Sequence, residues 1–179
     1  MANTDNNDFS LYKSFPNGGA VLLMSGLDKS TPDYNDLLSI ACWFARKGRM
    51  VKVLTSIHYK DPKYHEIFGS LIGTMFYRKC PDLLIDGEFY EYESYERPFK
   101  ANKISHMIKR GVEQSDRIII DNNKGASDRY IINMVLKRIK DRSFRREISE
   151  LFVYEKGNVR RLYYKKAVGS LGSPRSTNP

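Results

Sequence analysis

Cysteine and histidine are scarce in this sequence, which has two cysteines and three histidines among 179 residues. Two cysteines make no disulfide framework, and no CxxC pair or His/Cys cluster has the ligand spacing of a zinc site. Cys42 falls in an apolar helical stretch, where a free cysteine behaves as a small core residue. We therefore expect a protein that works in a reducing, cytoplasmic compartment.

Long apolar runs and glycine-rich loops are also missing. No run approaches the roughly 20 apolar residues of a membrane span, and the polar start MANTDNNDFS has no apolar signal-peptide segment. We therefore expect no membrane partner. Gly18-Gly19 and Gly26 do not form a phosphate-binding loop, which disfavours a nucleotide-handling enzyme. No serine or cysteine lies in a nucleophile elbow motif, and the chain has no internal repeat.

Acidic residues are outnumbered, with 21 Asp and Glu against 30 Lys and Arg and a net charge of +9. Such an excess indicates a polyanionic partner, because lysines and arginines that neutralise phosphates release condensed counterions. Between Ala126 and Lys166 there are 12 basic and 5 acidic residues, interleaved with tyrosines. This pattern suits phosphate neutralisation with base stacking, although a solvated helix face is the alternative. The candidate nucleic-acid contacts here are Lys137, Arg138, Arg160 and Arg161, and Lys100 is a further candidate contact in the predicted helix Phe99–Gln114.

The order of apolar patterns predicts one α/β domain over residues 20–166, with a mixed central sheet between helices. Residues 1–19 and 167–179 are polar and are expected to be flexible segments outside the fold. The predicted helices are Asp33–Lys47, Pro62–Ile72, Phe99–Gln114 and Ser127–Arg142. The predicted strands are Ala20–Met24, Met50–Thr55, Thr74–Arg78, Pro81–Ile85, Glu88–Glu93, Arg117–Asp121, Leu151–Tyr154 and Val159–Tyr164.

Asp86-Gly87 is a strong two-residue hairpin signal between two of these strands. Such a turn fixes the register, so that Ile85 faces Glu88 and Asp82 faces Glu91. Directly opposed residues have Cβ atoms roughly 4.5–5.5 Å apart, and Glu93 follows on the same face as Glu91.

Opposed carboxylates repel, so this pair does not serve stability. A raised pKa on one acid, a lysine between them or a divalent cation would each offset the repulsion. Alternatively, both acids point to solvent or into salt bridges, and a bulge would change the register.

The sequence around this hairpin resembles a known family. Pro81-Asp82, then Glu91-Tyr92-Glu93 after eight residues, in the order helix, strand, hairpin, helix, strand, resembles the PD-(D/E)XK nuclease superfamily. The segments IHYKDPKYHEIFG, YRKCPDLLIDGEFYEYES and QSDRIIID are similar to the C-terminal tRNase domains of contact-dependent growth inhibition toxins. The resemblance covers roughly residues 54–121 and implies a restriction-endonuclease-like core.

The resemblance implies a catalytic site in which Asp82 and Glu91 hold Mg²⁺ or Mn²⁺. Glu66, on the preceding helix, matches an additional acid that many members place beside the metal. Gln114 matches a polar residue near the site in some members, although it also fits a plain helix end.

The resemblance also implies a lysine two residues after the second acid, where it positions or activates water. In this chain that position is occupied by Glu93. Glu93 would then ligate a second ion or act as the base, or a lysine from the next helix, Lys100 or Lys103, would replace it. Glutamate in place of lysine at position 93 equally fits a weakened or inactive site.

The leading expectation is therefore a metal-dependent endonuclease acting on nucleic acid. The resemblance favours RNA, with tRNA as the expected target, and implies a toxin domain that acts in the cytoplasm of a target cell and is blocked by a cognate immunity protein. The alternative is a non-catalytic nucleic-acid- or protein-binding module on a decayed nuclease fold.

Overall fold

The computed structural model describes residues 8–95, 102–123, 125–141 and 146–165. In this part of the chain, eight strands form one mixed sheet. They are β1 (Phe9–Ser14), β2 (Ala20–Met24), β3 (Met50–Val53), β4 (Leu83–Ile85), β5 (Glu88–Glu93), β6 (Arg117–Asp121), β7 (Glu150–Glu155) and β8 (Asn158–Tyr164). Each strand lies beside its sequence neighbours. The pairs β2–β3, β5–β6 and β6–β7 are parallel, and the others are antiparallel.

Four α-helices connect the strands, and their ends follow from local sequence. They are α1 (Tyr34–Ala45), α2 (Pro62–Phe68), α3 (Asn102–Gln114) and α4 (Asp128–Lys140), with a 3₁₀ turn at Gly69–Leu71. Helix α2 begins as the sequence predicts, because the Asp61 carboxylate accepts the Lys63 N–H at 2.9 Å and Pro62 occupies the first turn. None of the helices in the described ranges has the length and apolarity needed to cross a bilayer.

The sheet is covered on both faces, which confirms the predicted mixed α/β architecture. Helix α1 packs on one face over Val51, Leu83 and Tyr90, in a core that also contains Ile119. Helices α3 and α4 pack on the other face over Ile118 and its neighbours. A third apolar cluster lies under α2, around Tyr64, Phe68 and Phe89. Because successive strand residues face opposite ways, Glu91 and Glu93 lie on the side opposite Tyr90 and Tyr92.

The turn between β4 and β5 has the predicted geometry. Asp86 and Gly87 both have positive φ, at 47° and 89°, as a two-residue hairpin turn requires. Leu83 pairs with Tyr90, and Ile85 pairs with Glu88. The predicted register is therefore confirmed for the three paired positions, and Asp82 immediately precedes them.

Two expectations from the sequence are corrected. Residues 9–14 are not outside the fold but form β1, an edge strand paired with β2; residues 1–7 and 166–179 lie outside the described residues. Residues 74–78 form turns instead of a strand, because the chain reverses there between α2 and β4. Helix α4 buries Ile131 and Val135, whereas its Leu136 and Ile139 side chains are exposed.

Candidate carboxylate site

A cavity of about 630 Å³ opens at the sheet edge where β3 and β5 end and β4 begins. Parallel α/β sheets place ligands at the carboxyl ends of their strands, where loops and helix starts converge. Five of the cavity's eleven lining residues are acidic and one is an arginine. The lining residues are Asp33, Leu37, Asp82, Glu91, Tyr92, Glu93, Ser94, Tyr95, Arg110, Glu113 and Gln114.

Asp82 and Glu91 meet in this cavity. The Asp82 carboxylate accepts the main-chain N–H of Tyr92, the residue after Glu91, at 2.9 Å. On the other strand, the Glu91 Oε2 atom is buried without a hydrogen-bond partner among the described residues. A buried carboxylate oxygen left without a donor is uncommon, and a bound ion is one explanation for it. The two acids that the sequence singled out are thus brought together, with unused binding capacity.

Glu93 lies beside them and is paired with Arg110. It is 7% exposed and forms an ion pair with the Arg110 guanidinium, which projects from α3. Close approach of α3 to the sheet makes this pair possible. A Cβ atom at Gly111 would lie 2.7 Å from Ile118 Cγ2 and 3.3 Å from Glu93 Cγ. Gly111 therefore sets the distance between the helix and the buried carboxylate.

The pKa values of all three acids are raised. Burial raises the pKa of Glu91 well above its ordinary value, and the charges of Asp82 and Glu93 raise it further. Burial also raises the pKa of Asp82, against the Tyr92 N–H that favours its charged form. For Glu93, burial raises the pKa to about 7, although Arg110 opposes the shift. These carboxylates therefore resist carrying three negative charges at neutral pH.

Asp33 is a site residue that sequence reasoning missed. It stands at the N-terminal end of α1, lines the cavity, and its charge raises the pKa of Asp82 and of Glu93. Nearby, the Tyr92 hydroxyl donates to Asp36 Oδ2 at 3.0 Å, which ties α1 to β5. A signal was available: α1 follows β2, whose carboxyl end lies at the same sheet edge.

Glu66 does not join the site. It is exposed on α2, whose buried side chains, Tyr64 and Phe68, turn toward a separate apolar cluster. Helices α1 and α3 line the cavity and α2 does not, so the predicted role of Glu66 as a ligand is not supported by its position. By contrast, Gln114 at the end of α3 lines the cavity.

Lys100 and Lys103 are the two lysines that could replace the missing lysine at position 93. Lys100 lies outside the described residues. Lys103 Nζ lies 4.6 Å from the ring centroid of Tyr95, a cavity residue, so this cation is held at the cavity margin by a cation–π contact.

The basic residues of the C-terminal part are largely engaged. Arg160 is bound to Asp128 at 2.7 Å and to Glu155 at 2.8 Å, and Arg161 is bound to Glu150 at 3.1 Å. Lys137 is exposed on α4, and the neighbouring Arg138 contacts Ser105 at 3.5 Å. The predicted phosphate contacts at Arg160 and Arg161 would therefore compete with ion pairs within the protein.

The cavity residues fit a divalent cation through two protein ligands. In the described residues, no group of three or more His, Cys, Asp or Glu side chains is arranged to hold a metal. However, Mg²⁺ commonly retains several waters and binds through one or two carboxylates together with substrate phosphates. The Asp82–Glu91 pair, with its unpartnered buried oxygen, matches that pattern.

Two comparisons with known proteins gave no match: neither the curated proteins nor the solved structures contain a significant relative of this chain. A comparison with protein families gave one. Residues 79–159, just under half of the chain, match the sequence model of the contact-dependent growth inhibition CdiA C-terminal domain. The matched segment contains Asp82, Glu91, Glu93, Arg110 and Gln114. The chain thus resembles a toxin C-terminal domain over the segment that supplies most of the carboxylate cavity.

Proposed function

We propose that this protein is a metal-dependent endonuclease of restriction-endonuclease-like architecture, with RNA, and tRNA in particular, as its substrate. The observation that carries the proposal is the half-buried Asp82–Glu91 pair, in which the buried Glu91 Oε2 atom has no hydrogen-bond partner among the described residues. Raised pKa values at both acids support a site that is completed by a cation, because a bound positive charge would offset their repulsion.

In this proposal Asp82 and Glu91 hold Mg²⁺ or Mn²⁺, with substrate phosphate and water as the remaining ligands. The ion would supply Lewis-acid polarisation of the scissile phosphate and a bound water of lowered pKa.

Glu93 is the proposed general base. A carboxylate with a pKa of about 7 is both available and basic enough to accept a proton from water at neutral pH. The Arg110 ion pair orients its carboxylate. This assignment accounts for Glu93 at the position where the PD-(D/E)XK pattern has lysine.

The match to a contact-dependent growth inhibition domain supports the biological half of the proposal. The protein would be the toxic part of a delivered toxin, acting in the cytoplasm of a target cell. A cognate immunity protein would then bind it and block the cavity. The net charge of +9 supports a nucleic-acid substrate.

The test is a cleavage assay on tRNA, other RNA and DNA, with Mg²⁺, with Mn²⁺ and with a chelator. Asp82→Asn and Glu91→Gln should abolish cleavage and also abolish thermal stabilisation by Mn²⁺. Glu66→Gln is the matched control, because it removes one exposed acid outside the cavity and should change neither readout. Cleavage that persists in Glu91→Gln, or in the presence of the chelator, would refute the metal-dependent proposal.

Glu93 has its own test within the same assay. If it is the base, Glu93→Gln should reduce the rate about 10²–10⁴-fold, and Glu93→Lys should alter the metal requirement. If a lysine of α3 does this work, Lys103→Ala or Lys100→Ala should be severe and Glu93→Gln mild.

A second candidate is a non-catalytic binding module on the same fold. It is favoured by Glu93 in place of lysine, and by the lack of a third ligand side chain in the described ranges. It predicts that the parent protein binds nucleic acid or a protein partner and cleaves no substrate with either metal. Saturable RNA binding with no cleavage would make it the better assignment.

A further inference from the structure

A cluster of aromatic and cationic side chains lies at the same sheet edge as the carboxylates. It consists of His58, Tyr59, Tyr77 and Arg78, and we call it the Tyr59 cluster. The Arg78 guanidinium carbon lies 4.3 Å from the Tyr59 ring centroid and 5.4 Å from that of Tyr77. The His58 and Tyr59 ring centroids are 4.7 Å apart. His58 and Arg78 are exposed, whereas Tyr59 and Tyr77 are half-buried and pack against the apolar cluster under α2.

The chain path fixes this cluster near the cavity. The Leu54 N–H donates to the Asp82 carbonyl at 2.8 Å, and the Ile57 N–H lies 3.5 Å from Cys80 Sγ. The loop that carries Tyr59 therefore runs beside the segment that leads into Asp82. Arg78 precedes Asp82 by four residues, so their Cα atoms are at most about 14 Å apart.

The charges of the cluster are open to a ligand. Arg78 and the adjacent Lys60 are exposed and form no ion pair with any described residue. Asp61, the nearest acid in sequence, has its carboxylate engaged at the start of α2. Arg160 and Arg161, in contrast, are already paired with acids.

Arg78 also has an uncommon backbone conformation. Its φ of 68° lies in the left-handed region, which large side chains seldom adopt. Such strain persists where the surrounding structure imposes it, and it is concentrated at ligand-binding positions. Here the conformation accompanies a guanidinium held over the Tyr59 ring.

We propose that the Tyr59 cluster binds unpaired nucleotides of the RNA strand that enters the carboxylate cavity, an inference that rests on the proposed nuclease function. One base stacks on the exposed His58 ring, and another takes the Tyr59 face that Arg78 covers in the free protein. The displaced Arg78 and Lys60 then neutralise neighbouring phosphates. Base faces within an A-form duplex are already stacked on each other, so the cluster selects single-stranded segments.

The test uses the full chain carrying Glu91→Gln, so that RNA is not cleaved during the measurement. Tyr59→Leu and Arg78→Asn are each added to this Glu91→Gln background. Fluorescence anisotropy then measures the affinity of each variant for a labelled 12-nucleotide single-stranded RNA and for the matching 12-base-pair duplex. Asn tolerates positive φ, so Arg78→Asn removes the cation without added strain. Lys47→Asn is the matched control, because Lys47 Nζ lies 4.4 Å from the Trp43 ring centroid, beyond the other end of the sheet.

Tyr59→Leu should weaken single-strand binding about 5- to 150-fold, the effect of losing one stacked base. Arg78→Asn should weaken it too and reduce the salt slope by about 0.7, the value for one phosphate contact on a single strand. Lys47→Asn should leave the single-strand affinity equal to that of the Glu91→Gln background. All variants should bind the duplex with the affinity of that background. Equal single-strand affinities in all variants would overturn the proposal. An equal loss of affinity for the duplex would also overturn it, because the binding would then be explained by charge attraction alone.

The two proposals fail separately. If the parent chain cleaves no RNA with Mg²⁺ or Mn²⁺ but Tyr59→Leu loses single-strand binding, the nuclease assignment falls and the cluster stands. If the parent cleaves RNA while Tyr59→Leu and Arg78→Asn retain the parent kcat/KM and affinity, the cluster falls alone. Thermal melts verify that each variant is folded.

Discussion

Replacing Glu93 with glutamine tests the electrostatics of the cavity without any knowledge of the substrate. Burial raises the Glu93 pKa from 4.5 to about 7, and its side chain is only 9% exposed. Between these pH values the folded protein retains a proton that the unfolded chain has lost. The free energy of unfolding therefore falls as pH rises through this range, and the stability present below pH 4.5 is lost above pH 7.

The size of this effect follows from the same two values. Their difference of about 2.5 corresponds to about 3 kcal/mol at 1.36 kcal/mol per pH unit. Glutamine has the same length, remains neutral and still accepts a hydrogen bond from Arg110. We expect Glu93→Gln to raise the free energy of unfolding by about 1–3 kcal/mol at pH 8 and by about zero at pH 4.5.

Urea unfolding at pH 4.5, 6 and 8 tests this prediction, because the midpoint and the m-value together give the free energy of unfolding at each pH. Asp82 and Glu91, whose pKa values burial also raises, should preserve part of the pH dependence in the variant. Glu66→Gln, which removes an exposed acid, should leave the parent curve unchanged. Parallel curves for the parent and Glu93→Gln, or a less stable variant at pH 8, would show that Glu93 is a well-stabilised anion and would refute the reasoning.

Three further predictions concern the surroundings of the cavity. Gly111→Ala should destabilise the fold by about 1–3 kcal/mol, typical of overpacking. It should also weaken Mn²⁺-dependent stabilisation, because the added methyl group presses on Ile118. An unchanged thermal melt would argue against the close approach of α3 to the sheet. Lys137→Glu should weaken RNA binding with a shallower salt dependence, and an unchanged slope would move the substrate path elsewhere. Arg160→Gln should lower the thermal midpoint because it leaves Asp128 and Glu155 unpaired, while RNA affinity stays near the parent value; a large loss of affinity would restore Arg160 as a phosphate contact.

The hairpin that carries the site could be predicted because its determinants are local. Asp86-Gly87 favours one turn type, and a two-residue turn leaves one register, which the observed pairs reproduce. The period of buried positions likewise identified α1, α3 and β6. What could be predicted was thus encoded within a few consecutive residues.

The errors arose where tertiary packing decides. Strand β1 has little apolar alternation, because it is an edge strand with exposed positions from Ser10 to Ser14. Asp33 and Glu66 are equally plausible acids in sequence, but only Asp33 lines the cavity. One of the two ion-pair partners of Arg160 is Asp128, which lies 32 residues away in the sequence. Composition cannot distinguish a paired cation from an available one.

The strand order has a consequence for how the molecule is assembled. Each described strand lies beside the strand that precedes it in the chain, from β1 through β8. The sheet can therefore grow by adding one strand at a time at a single advancing edge, and no strand waits for a distant partner to be synthesised. Pairing between near neighbours keeps loop-closure costs low and favours fast folding. A chain emerging from its N-terminus, whether from a ribosome or after translocation, would carry both carboxylates of the cavity in an ordered sheet edge before its last hairpin had formed.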